Sequence, residues 1–237
     1  MRAALWVIIP AAGVGKRMQS TCPKQYLRLA DNTILDTTIE RFIQHPNIAG
    51  VLVGISQEDE YWCQSKWRQH ASVHTFTGGK ERCDTVQKGV SFLSQSCLID
   101  KNPMVLVHDA ARPLLSLAAL NRIIEHESDQ GALLAVPVKD TLKQQHQTSL
   151  KVEATLPRER IWLAQTPQKF PVAALLAAFE QAQREGVVVT DECSAMERMG
   201  WQPDLVLGDS RNIKVTVPED LGIAEALLPH MLATGAL

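Results

Sequence analysis

The sequence has no apolar run that approaches the roughly 18 residues of a transmembrane helix. Its five cysteines, at positions 22, 63, 83, 97 and 193, form no C-x-x-C pair, which argues against both a disulfide framework and a zinc site. Clusters of glycine and proline are few, and the content of 45% apolar and 21% charged residues is typical of a globular protein rather than a disordered or fibrous one. These absences predict a soluble cytoplasmic chain with no membrane partner.

Negatively charged residues are also missing, but only from the first 30 residues. The overall net charge of −2 argues against a generic surface for nucleic acid, and no nucleic-acid partner is expected. Residues 1–30 contain no Asp or Glu but do contain Arg2, Lys16, Arg17, Lys24 and Arg28. A buried first strand lacks charge in any case, yet it does not account for a polar loop whose charged residues are all basic. The loop is therefore predicted to bind an anion.

The glycine loop PAAGVGKRMQSTCPKQYL, residues 10–27, lacks the spacing of the two best-known phosphate-binding loops. A P-loop is excluded because Pro10 and Arg17 stand where it needs a glycine and a Ser or Thr. The dinucleotide fingerprint is excluded because Met18 stands where its third glycine is required. What remains is a loop that can bring backbone N–H groups close to an anion and is followed by basic side chains. This combination is suited to a polyphosphate.

Short β-branched runs alternate with helical patterns through the first 140 residues. The runs predicted to be strands are ALWVII (4–9), IAGVLVGI (48–55), VHTF (73–76), PMVLVH (103–108) and ALLAVPV (132–138). The segments ILDTTIERFI and SLAALNRIIEHE carry apolar residues at helical spacing. This order predicts an α/β, Rossmann-like fold with a mostly parallel sheet that helices cover on both faces. Ligands bind such sheets at the carboxyl ends of the strands.

The alternation stops after Asp140. Residues 141–160 are polar, weakly alternating and too long for an ordinary connection, so they predict a protruding β-arm, with a disordered insert as the alternative. Helical patterns return in PVAALLAAFEQAQREG, in TDECSAMERMG with Thr190 as its N-cap, and in a closing helix with Pro218 in its first turn. The segments DLVLGD and NIKVTV lie before that last helix. We interpret residues 1–237 as a single domain, with residues 139–161 as the arm.

A polar cluster follows each predicted strand on the presumed ligand side: TGGKERCDTV after VHTF, DAARP after PMVLVH, and KDT after ALLAVPV. In DAARP, Asp109 can accept from a polyol hydroxyl and Arg112 can bind phosphate through two donors, with a structural Asp-Arg ion pair as the alternative. Lys214 stands among β-formers, which indicates either a cleft with a negative ligand or an edge strand protected by lysine. No Ser-His-Asp or Cys-His set can be assembled, so covalent catalysis is not expected.

Taken together, the motifs PAAGVGKRM with PKQY, GGKERCDTV, VHDAARP, PVKDT, QTPQ, TDE and NIKVT resemble those of the 2-C-methyl-D-erythritol 4-phosphate cytidylyltransferases of the non-mevalonate isoprenoid pathway. The resemblance implies transfer of CMP from CTP to methylerythritol phosphate, with release of pyrophosphate and formation of 4-diphosphocytidyl-2-C-methyl-D-erythritol. A phosphate oxygen of methylerythritol phosphate is expected to attack the α-phosphorus of CTP in line. Mg²⁺ is the implied cofactor, held mainly by the phosphates and not by a protein metal site.

The resemblance also implies roles for individual residues. The residues implied to be catalytic, by stabilising the transition state, are Arg17, Lys24 and Lys214. The residues implied to bind the nucleotide are Ala11, Ala12, Gly13, Gly15, Gly79 and Thr85. The residues implied to bind the polyol phosphate are Asp109, Arg112, Thr141, Arg158, Thr166 and Thr190. Some of this last set are implied to come from the partner chain of a homodimer that pairs through the arm.

Other functions stay open at this point. The nearest alternative is a ribitol 5-phosphate cytidylyltransferase, which needs the same loop and differs in its polyol pocket. A sugar-1-phosphate nucleotidyltransferase is disfavoured because VHDAARP and NIKVT are not its signatures. A regulatory module that binds a nucleotide without turnover is the alternative from another class. Release of pyrophosphate from CTP with each polyol phosphate distinguishes all of them.

Overall fold

The computed structural model of the chain describes residues 5–13, 15, 18, 22–96 and 103–237. Strands and helices alternate in the first half of the chain. In chain order they are β1 Leu5–Pro10, β2 Arg28–Leu29, β3 Asn32–Thr33, α1 Ile34–Ile43, β4 Ile48–Ile55, β5 Val73–Thr77, α2 Arg82–Gln95, β6 Met104–Val107, α3 Leu117–Glu125, β7 Ala132–Pro137, β8 Leu142–Gln145, β9 Val152–Leu156, β10 Trp162–Pro171, α4 Val172–Arg184, α5 Glu192–Arg198, β11 Asp204–Leu207 and α6 Pro218–Ala233.

The central sheet has seven strands in the order β11-β7-β10-β6-β1-β4-β5. β1 lies between β4 and β6 and is parallel to both, so that Val7 pairs with Val51 on one side and with Leu106 on the other. β10 is antiparallel to its two neighbours, β6 and β7, while β11 is parallel to β7. The prediction of a mostly parallel α/β sheet is confirmed. The sequence pattern did not predict β10.

Alternation along β1 shows why helices cover both faces of the sheet. Val7 and Ile9 pack into a core with residues of α1 and α3, whereas Trp6 and Ile8 pack into a second core with residues of α2, α4 and α5. Successive side chains of a strand point to opposite faces, and all four of these side chains are buried. A third, smaller core lies under α6. The predicted two-sided burial of the sheet is therefore confirmed.

Several helix starts follow the capping rules, and one predicted cap is wrong. Pro218 is the first residue of α6, as predicted. The N-cap of α5 is Asp191 and not Thr190: the Asp191 carboxylate accepts from the backbone N–H of Ser194 at 2.9 Å. The Ser194 hydroxyl in turn accepts from the backbone N–H of Asp191 at 3.2 Å, which completes a reciprocal cap. Thr190 lies one position too early to make this contact.

The polar stretch after Asp140 forms a hairpin, so the β-arm is confirmed and the disordered insert is wrong. β8 and β9 pair antiparallel, with Leu142 opposite Leu156, and most of their residues are exposed. Directly below the hairpin, Pro137 of β7 pairs with Trp162 of β10. In the described part of the chain, no helix is long and apolar enough to cross a membrane.

Candidate active site

A cleft of about 260 Å³ opens at the carboxyl ends of β1 and β6. It is formed by the loop after β1, the segment that leads from β5 into α2, the segment after β6, and Lys214. Its described lining residues are Pro10, Ala11, Ala12, Gly13, Gly15, Lys24, Gln25, Gly79, Lys80, Glu81, Arg82, Thr85, Asp109, Ala110, Ala111 and Lys214. The polar clusters that follow β1, β5 and β6 thus meet in one place, as parallel strands require.

The structure places the residues with predicted roles in three groups. Those that line the cleft are Ala11, Ala12, Gly13, Gly15, Lys24, Gly79, Thr85, Asp109 and Lys214. Arg112 and Thr166 lie beside it, in contact with Asp109. Thr141, Arg158 and Thr190 are exposed and are not among its described lining residues. Arg17 lies outside the described residues, and the structure does not place it.

Hydrogen bonds to the polypeptide backbone hold the first loop in position. The N–H of Ala11 donates to the carbonyl of Gly54 at 2.7 Å, and the buried side chain of Gln25 donates to the carbonyl of Ala11 at 2.6 Å. Lys24 donates to the carbonyl of Val215 at 2.9 Å, which connects this loop to the segment that carries Lys214. The first loop is therefore tied to β4 on one side and to the NIKVT segment on the other.

The glycine pair after β5 brings a second loop against the first. A Cβ on Gly78 would lie 2.6 Å from the Cβ of Ala12, so only glycine permits this approach. The N–H of Gly79 donates to the hydroxyl of Thr85 at 2.9 Å, and that hydroxyl donates to the carbonyl of Glu81 at 3.1 Å. Thr85 therefore fixes the second loop to the start of α2.

Asp109 is the centre of a charged cluster at the floor of the cleft. Its Oδ1 accepts from Nε of Arg82 at 2.7 Å, and its Oδ2 lies 2.9 Å from Nζ of Lys214 and 3.4 Å from Nε of Arg112. Burial by itself raises the pKa of a carboxyl group, but the charges of Arg82, Lys214 and Arg112 hold the pKa of Asp109 well below its usual range. Asp109 is therefore ionised at neutral pH and acts as a hydrogen-bond acceptor rather than as a proton acceptor.

This cluster tests the alternative interpretations of Arg112 and of Lys214. The structural Asp-Arg ion pair expected as an alternative does exist, but Asp109 shares its charge with Arg82 and Lys214 as well as with Arg112. The edge-strand alternative for Lys214 is wrong, because residues 212–216 lie outside the strands and helices. The NIKVT segment instead runs beside the cleft, where the N–H of Val215 donates to the carbonyl of Ala111 at 2.8 Å.

Sequence reasoning missed Glu192 as a member of this cluster. Its side chain is fully buried, and its two oxygens accept from Nη1 and Nη2 of Arg82 at 2.7 and 3.0 Å. Burial lowers the pKa of a guanidinium, but the charges of Glu192 and Asp109 outweigh it and raise the pKa of Arg82 above its ordinary value. The signal was weak because an acidic residue at a helix start is explained equally well by the helix dipole.

His108 and Thr166 form a second hydrogen-bonded unit beside Asp109. Nε2 of His108 lies 3.0 Å from the carbonyl oxygen of Arg112, which can only accept, so Nε2 carries the ring proton. Nδ1 therefore accepts from the hydroxyl of Thr166 at 3.0 Å, and this hydroxyl accepts from the N–H of Asp109 at 3.0 Å. A hydroxyl has one proton and two acceptor sites. These contacts use the proton and one acceptor site of the Thr166 hydroxyl and leave its second acceptor site.

Asn212 connects this unit to the NIKVT segment. Its side-chain nitrogen donates to the carbonyl of Thr166 at 2.8 Å, and its own carbonyl accepts from Nη1 of Arg112 at 2.7 Å. Asn212 is fully buried. Like His108, it was not predicted as a site residue. Asn212 contacts Thr166 and Arg112, which are 46 and 100 positions away, and the contact of His108 with Thr166 spans 58 positions.

The remaining predicted residues are exposed and are not among the described lining residues of the cleft. Arg158 donates to the carbonyl of Lys139 at the base of the arm. Thr141 is exposed beside the first strand of the arm. Thr190 is exposed, and its N–H donates to the hydroxyl of Ser194 at 3.1 Å.

Comparison with known proteins gives a consistent set of relatives. The sequence model of the family described as IspD, 2-C-methyl-D-erythritol 4-phosphate cytidylyltransferase, matches residues 5–230. A relative of that name from Photobacterium profundum is 43% identical, and the match covers 98% of this chain and 99% of the relative. Another relative of that name from Pseudomonas putida is 45% identical, with coverage of 92% and 93%.

Solved structures give the same result for the fold. A crystal structure of 4-diphosphocytidyl-2C-methyl-D-erythritol synthase is similar with a TM-score of 0.83 and 35% identity, over 96% of this chain and 100% of that chain. The Francisella tularensis 2-C-methyl-D-erythritol 4-phosphate cytidylyltransferase is similar with a TM-score of 0.80 and 35% identity, over 94% and 99% of the two chains.

Proposed function

Because this chain belongs to the 2-C-methyl-D-erythritol 4-phosphate cytidylyltransferase family, we propose that the cleft around Asp109 is its active site. The chain is a nucleotidyltransferase of isoprenoid biosynthesis that transfers CMP from CTP to 2-C-methyl-D-erythritol 4-phosphate. The observation that supports the assignment of the site is the meeting of two glycine loops with Lys24 and Lys214 in one cleft. Loops that bring backbone N–H groups close to a ligand, together with lysine side chains beside them, suit the binding of a triphosphate.

CTP lies across the two glycine loops in this proposal. The backbone of Ala11, Ala12 and Gly13, together with Gly15, faces the phosphates, and the segment from Gly79 to Thr85 faces the nucleoside. Lys24, Lys214 and Arg17 neutralise charge as the phosphate oxygen of the second substrate attacks the α-phosphorus in line. That oxygen is already an anion, so no general base is needed. The ionised state of Asp109 agrees with this, since such a carboxylate does not take up a proton at neutral pH.

The polyol binds beside Asp109 and Thr166 in this proposal. Ionised Asp109 can only accept hydrogen bonds, and the free site of the Thr166 hydroxyl is also an acceptor. Both are suited to the hydroxyl groups of a polyol rather than to phosphate oxygens. Arg112 completes this end of the cleft. Thr141, Arg158 and Thr190 are left for the phosphate group of the polyol.

Magnesium is proposed to enter with the triphosphate. The carboxylates in the described lining are those of Glu81 and Asp109, and Asp109 already interacts with three cationic side chains. A cation whose main ligands are phosphate oxygens fits such a site, because Mg²⁺ is commonly held by few protein groups. When bound, it reduces the negative charge that the attacking phosphate meets.

The partner chain and the cellular location also belong to the proposal. Arg158 and Thr141 lie on the arm, outside the cleft of their own chain. A homodimer that pairs through residues 139–161 would bring these side chains to the cleft of the neighbouring chain. Location in the cytoplasm stays a prediction.

Pyrophosphate release from CTP tests the proposed function. Methylerythritol phosphate should support release, ribitol 5-phosphate should not, and a chelator should abolish the reaction. CTP should be preferred over ATP, GTP and UTP. Equal rates with ribitol 5-phosphate, or with ATP, would contradict the assignment.

A pair of lysine variants tests the assignment of the site. Lys24→Met removes a fixed cation from the cleft and should lower kcat by roughly 10² to 10³. Lys66→Met is the control, because Lys66 is a partly exposed lysine that pairs with Glu40 of α1 and does not line the cleft. An unchanged kcat in Lys24→Met would remove Lys24 from the catalytic set.

A further inference from the structure

Arg82 joins two carboxylates that come from distant parts of the chain. It is the first residue of α2, and its Nη1 and Nη2 hold both oxygens of Glu192, the first residue of α5. Its Nε holds Oδ1 of Asp109 at 2.7 Å. All three nitrogens of one planar guanidinium are therefore engaged, which fixes the plane of the group.

Glu192 is a rigid anchor for this guanidinium. It is fully buried, so turning away from Arg82 would leave an unpaired charge in the protein interior. The start of α5 is also fixed to the sheet: the side chain of Gln168 on β10 accepts from the N–H of Cys193 at 2.8 Å and donates to the carboxylate of Asp191 at 2.9 Å. The position of Glu192 is thus set by the central sheet.

The two oxygens of Asp109 are held differently. Lys214 and Arg112 both contact Oδ2, whereas Arg82 is the described partner of Oδ1. Loss of Arg82, or a rotation of its guanidinium, would leave the carboxylate of Asp109 free to turn about its Cβ–Cγ bond. Lys214 and Arg112 contact only one of its oxygens and do not define its plane.

We propose that Glu192 is a positioning residue for the second substrate: through Arg82, it fixes the plane of the Asp109 carboxylate against which the polyol hydroxyl groups bind. This inference rests on the proposed assignment of Asp109 to the polyol. Glu192 is not among the described residues that line the cleft. Its effect should therefore be found in the KM for methylerythritol phosphate much more than in the KM for CTP.

Steady-state kinetics of Glu192→Gln and Arg82→Lys test the proposal. Glutamine keeps one acceptor for Arg82 but presents a donor where the second acceptor was, and a lysine ammonium cannot hold both carboxylates in one plane. Each variant should raise the KM for methylerythritol phosphate on the order of tenfold, which is the effect of weakening one charged hydrogen bond. For Glu192→Gln, whose side chain is not among the described lining residues, the KM for CTP should change less than about twofold.

A matched control lies at the other end of α5. Glu185→Gln removes the exposed partner of Arg198, the last residue of that helix, and should change neither KM. Arg82→Met with Glu192→Gln removes both members of the pair without leaving a buried charge. If Glu192 acts through Arg82, adding Glu192→Gln to Arg82→Met should not raise the KM for methylerythritol phosphate any further.

The outcomes separate this inference from the proposed function. An active wild-type enzyme whose Glu192→Gln variant shows equal rises in both KM values overturns the positioning role alone, because a merely structural defect affects both substrates. The positioning role is also overturned if Glu192→Gln still raises the KM for methylerythritol phosphate in the Arg82→Met background. A wild-type enzyme without turnover on CTP and methylerythritol phosphate overturns the proposed function and this inference together. Thermal unfolding of each variant verifies that it is folded. If Glu192→Gln is unfolded, the KM for methylerythritol phosphate of Arg82→Lys decides.

Discussion

His108 shows how a single buried side chain constrains the hydrogen bonds that its neighbour can make. Its ring is fully buried and packs edge-on against Phe42, with the ring centroids 5.0 Å apart. Because its Nδ1 accepts a hydrogen bond from the hydroxyl of Thr166, that hydroxyl can offer any further group only an acceptor site. Burial lowers the pKa of His108 to about 4, which keeps the ring neutral and this arrangement intact at physiological pH.

The same pKa shift predicts a pH dependence of stability. The ordinary pKa of 6.5 applies to the unfolded chain, so protons bind the unfolded state first as the pH falls. The stability that neutral His108 gives is complete above pH 6.5 and is lost as the pH falls towards 4. Between pH 7 and about pH 4.5 the wild type should lose about 2 kcal/mol more than His108→Gln, which does not titrate.

Urea unfolding of both proteins across this range measures the difference. Glutamine offers an acceptor for the Thr166 hydroxyl and a donor for the carbonyl of Arg112, so the variant has the same kinds of hydrogen-bonding group as neutral His108. The low pKa of Asp109 does not interfere, since a carboxyl group with a depressed pKa loses its contribution only below its unfolded pKa of 3.8. Parallel pH profiles for the two proteins would contradict the role of His108.

At the level of residues, the sequence revealed those side chains that directly follow a strand. Asp109 was predicted because it comes immediately after a buried strand at the ligand edge of the sheet. Glu192 and Asn212 were missed because their partners, Arg82 and Arg112, are 110 and 100 positions away. Such contacts depend on how α5 and the NIKVT segment pack, and a single sequence has no local signal for this packing.

Among the elements, β10 is the main failure of sequence-based prediction. Its sequence WLAQTPQKFP has no regular alternation and contains proline, so neither the strand pattern nor the helix pattern applies. Its buried polar residues are explained by their partners in the structure. Gln165 donates to the carbonyl of Asp209 at 2.9 Å, and Lys169 donates to the carbonyls of Ile124 and His126 at the end of α3. A strand that satisfies polar groups of its neighbours does not have an apolar signature.

The contact between β10 and the turn before β7 gives a stability prediction. Gly131 has a φ of +77°, and an added Cβ would overlap the ring of Phe170 and lie 2.8 Å from the carbonyl oxygen of Lys169. Gly131→Ala should therefore combine backbone strain of about 1 to 2 kcal/mol with an overpacking cost of about 1 to 3 kcal/mol. The loss of unfolding free energy is measured by urea denaturation.

Gly186→Ala is the matched control for this prediction. Gly186 also has a positive φ, +65°, but no described atom lies within 4 Å of an added Cβ. It should lose only the strain of about 1 to 2 kcal/mol. If the two variants lose the same free energy, Phe170 is not packed against the turn as the structure has it.

At the scale of the whole molecule, we predict that each active site is shared between the two chains of a homodimer. In the proposed homodimer, Lys24→Ala removes a cation from the cleft of its own chain, and Arg158→Ala removes a side chain that the arm would contribute to the cleft of the partner. Each homodimer should be nearly inactive. After random subunit exchange, half of the dimers are mixed and each has one intact site, so activity should recover to roughly a quarter of the wild type.

Subunit exchange has to be verified for this result to count, for example by mass spectrometry of differently tagged chains. A chain that carries both changes serves as the control, and it should stay inactive after exchange with either single variant. If exchange occurs and the mixed sample stays as inactive as the separate variants, then Arg158 acts within its own chain.

The pairing of Pro137 with Trp162 beneath the arm has a consequence for engineering. Because Pro137 and Trp162 pair in the sheet, the strands that lead into and out of the arm are held side by side at its base. The tip between Gln145 and Val152 is exposed, with Leu150 at 94% of its full accessibility. A peptide tag inserted there, or new chain termini created there by circular permutation, would leave the sheet and the cleft connected as they are.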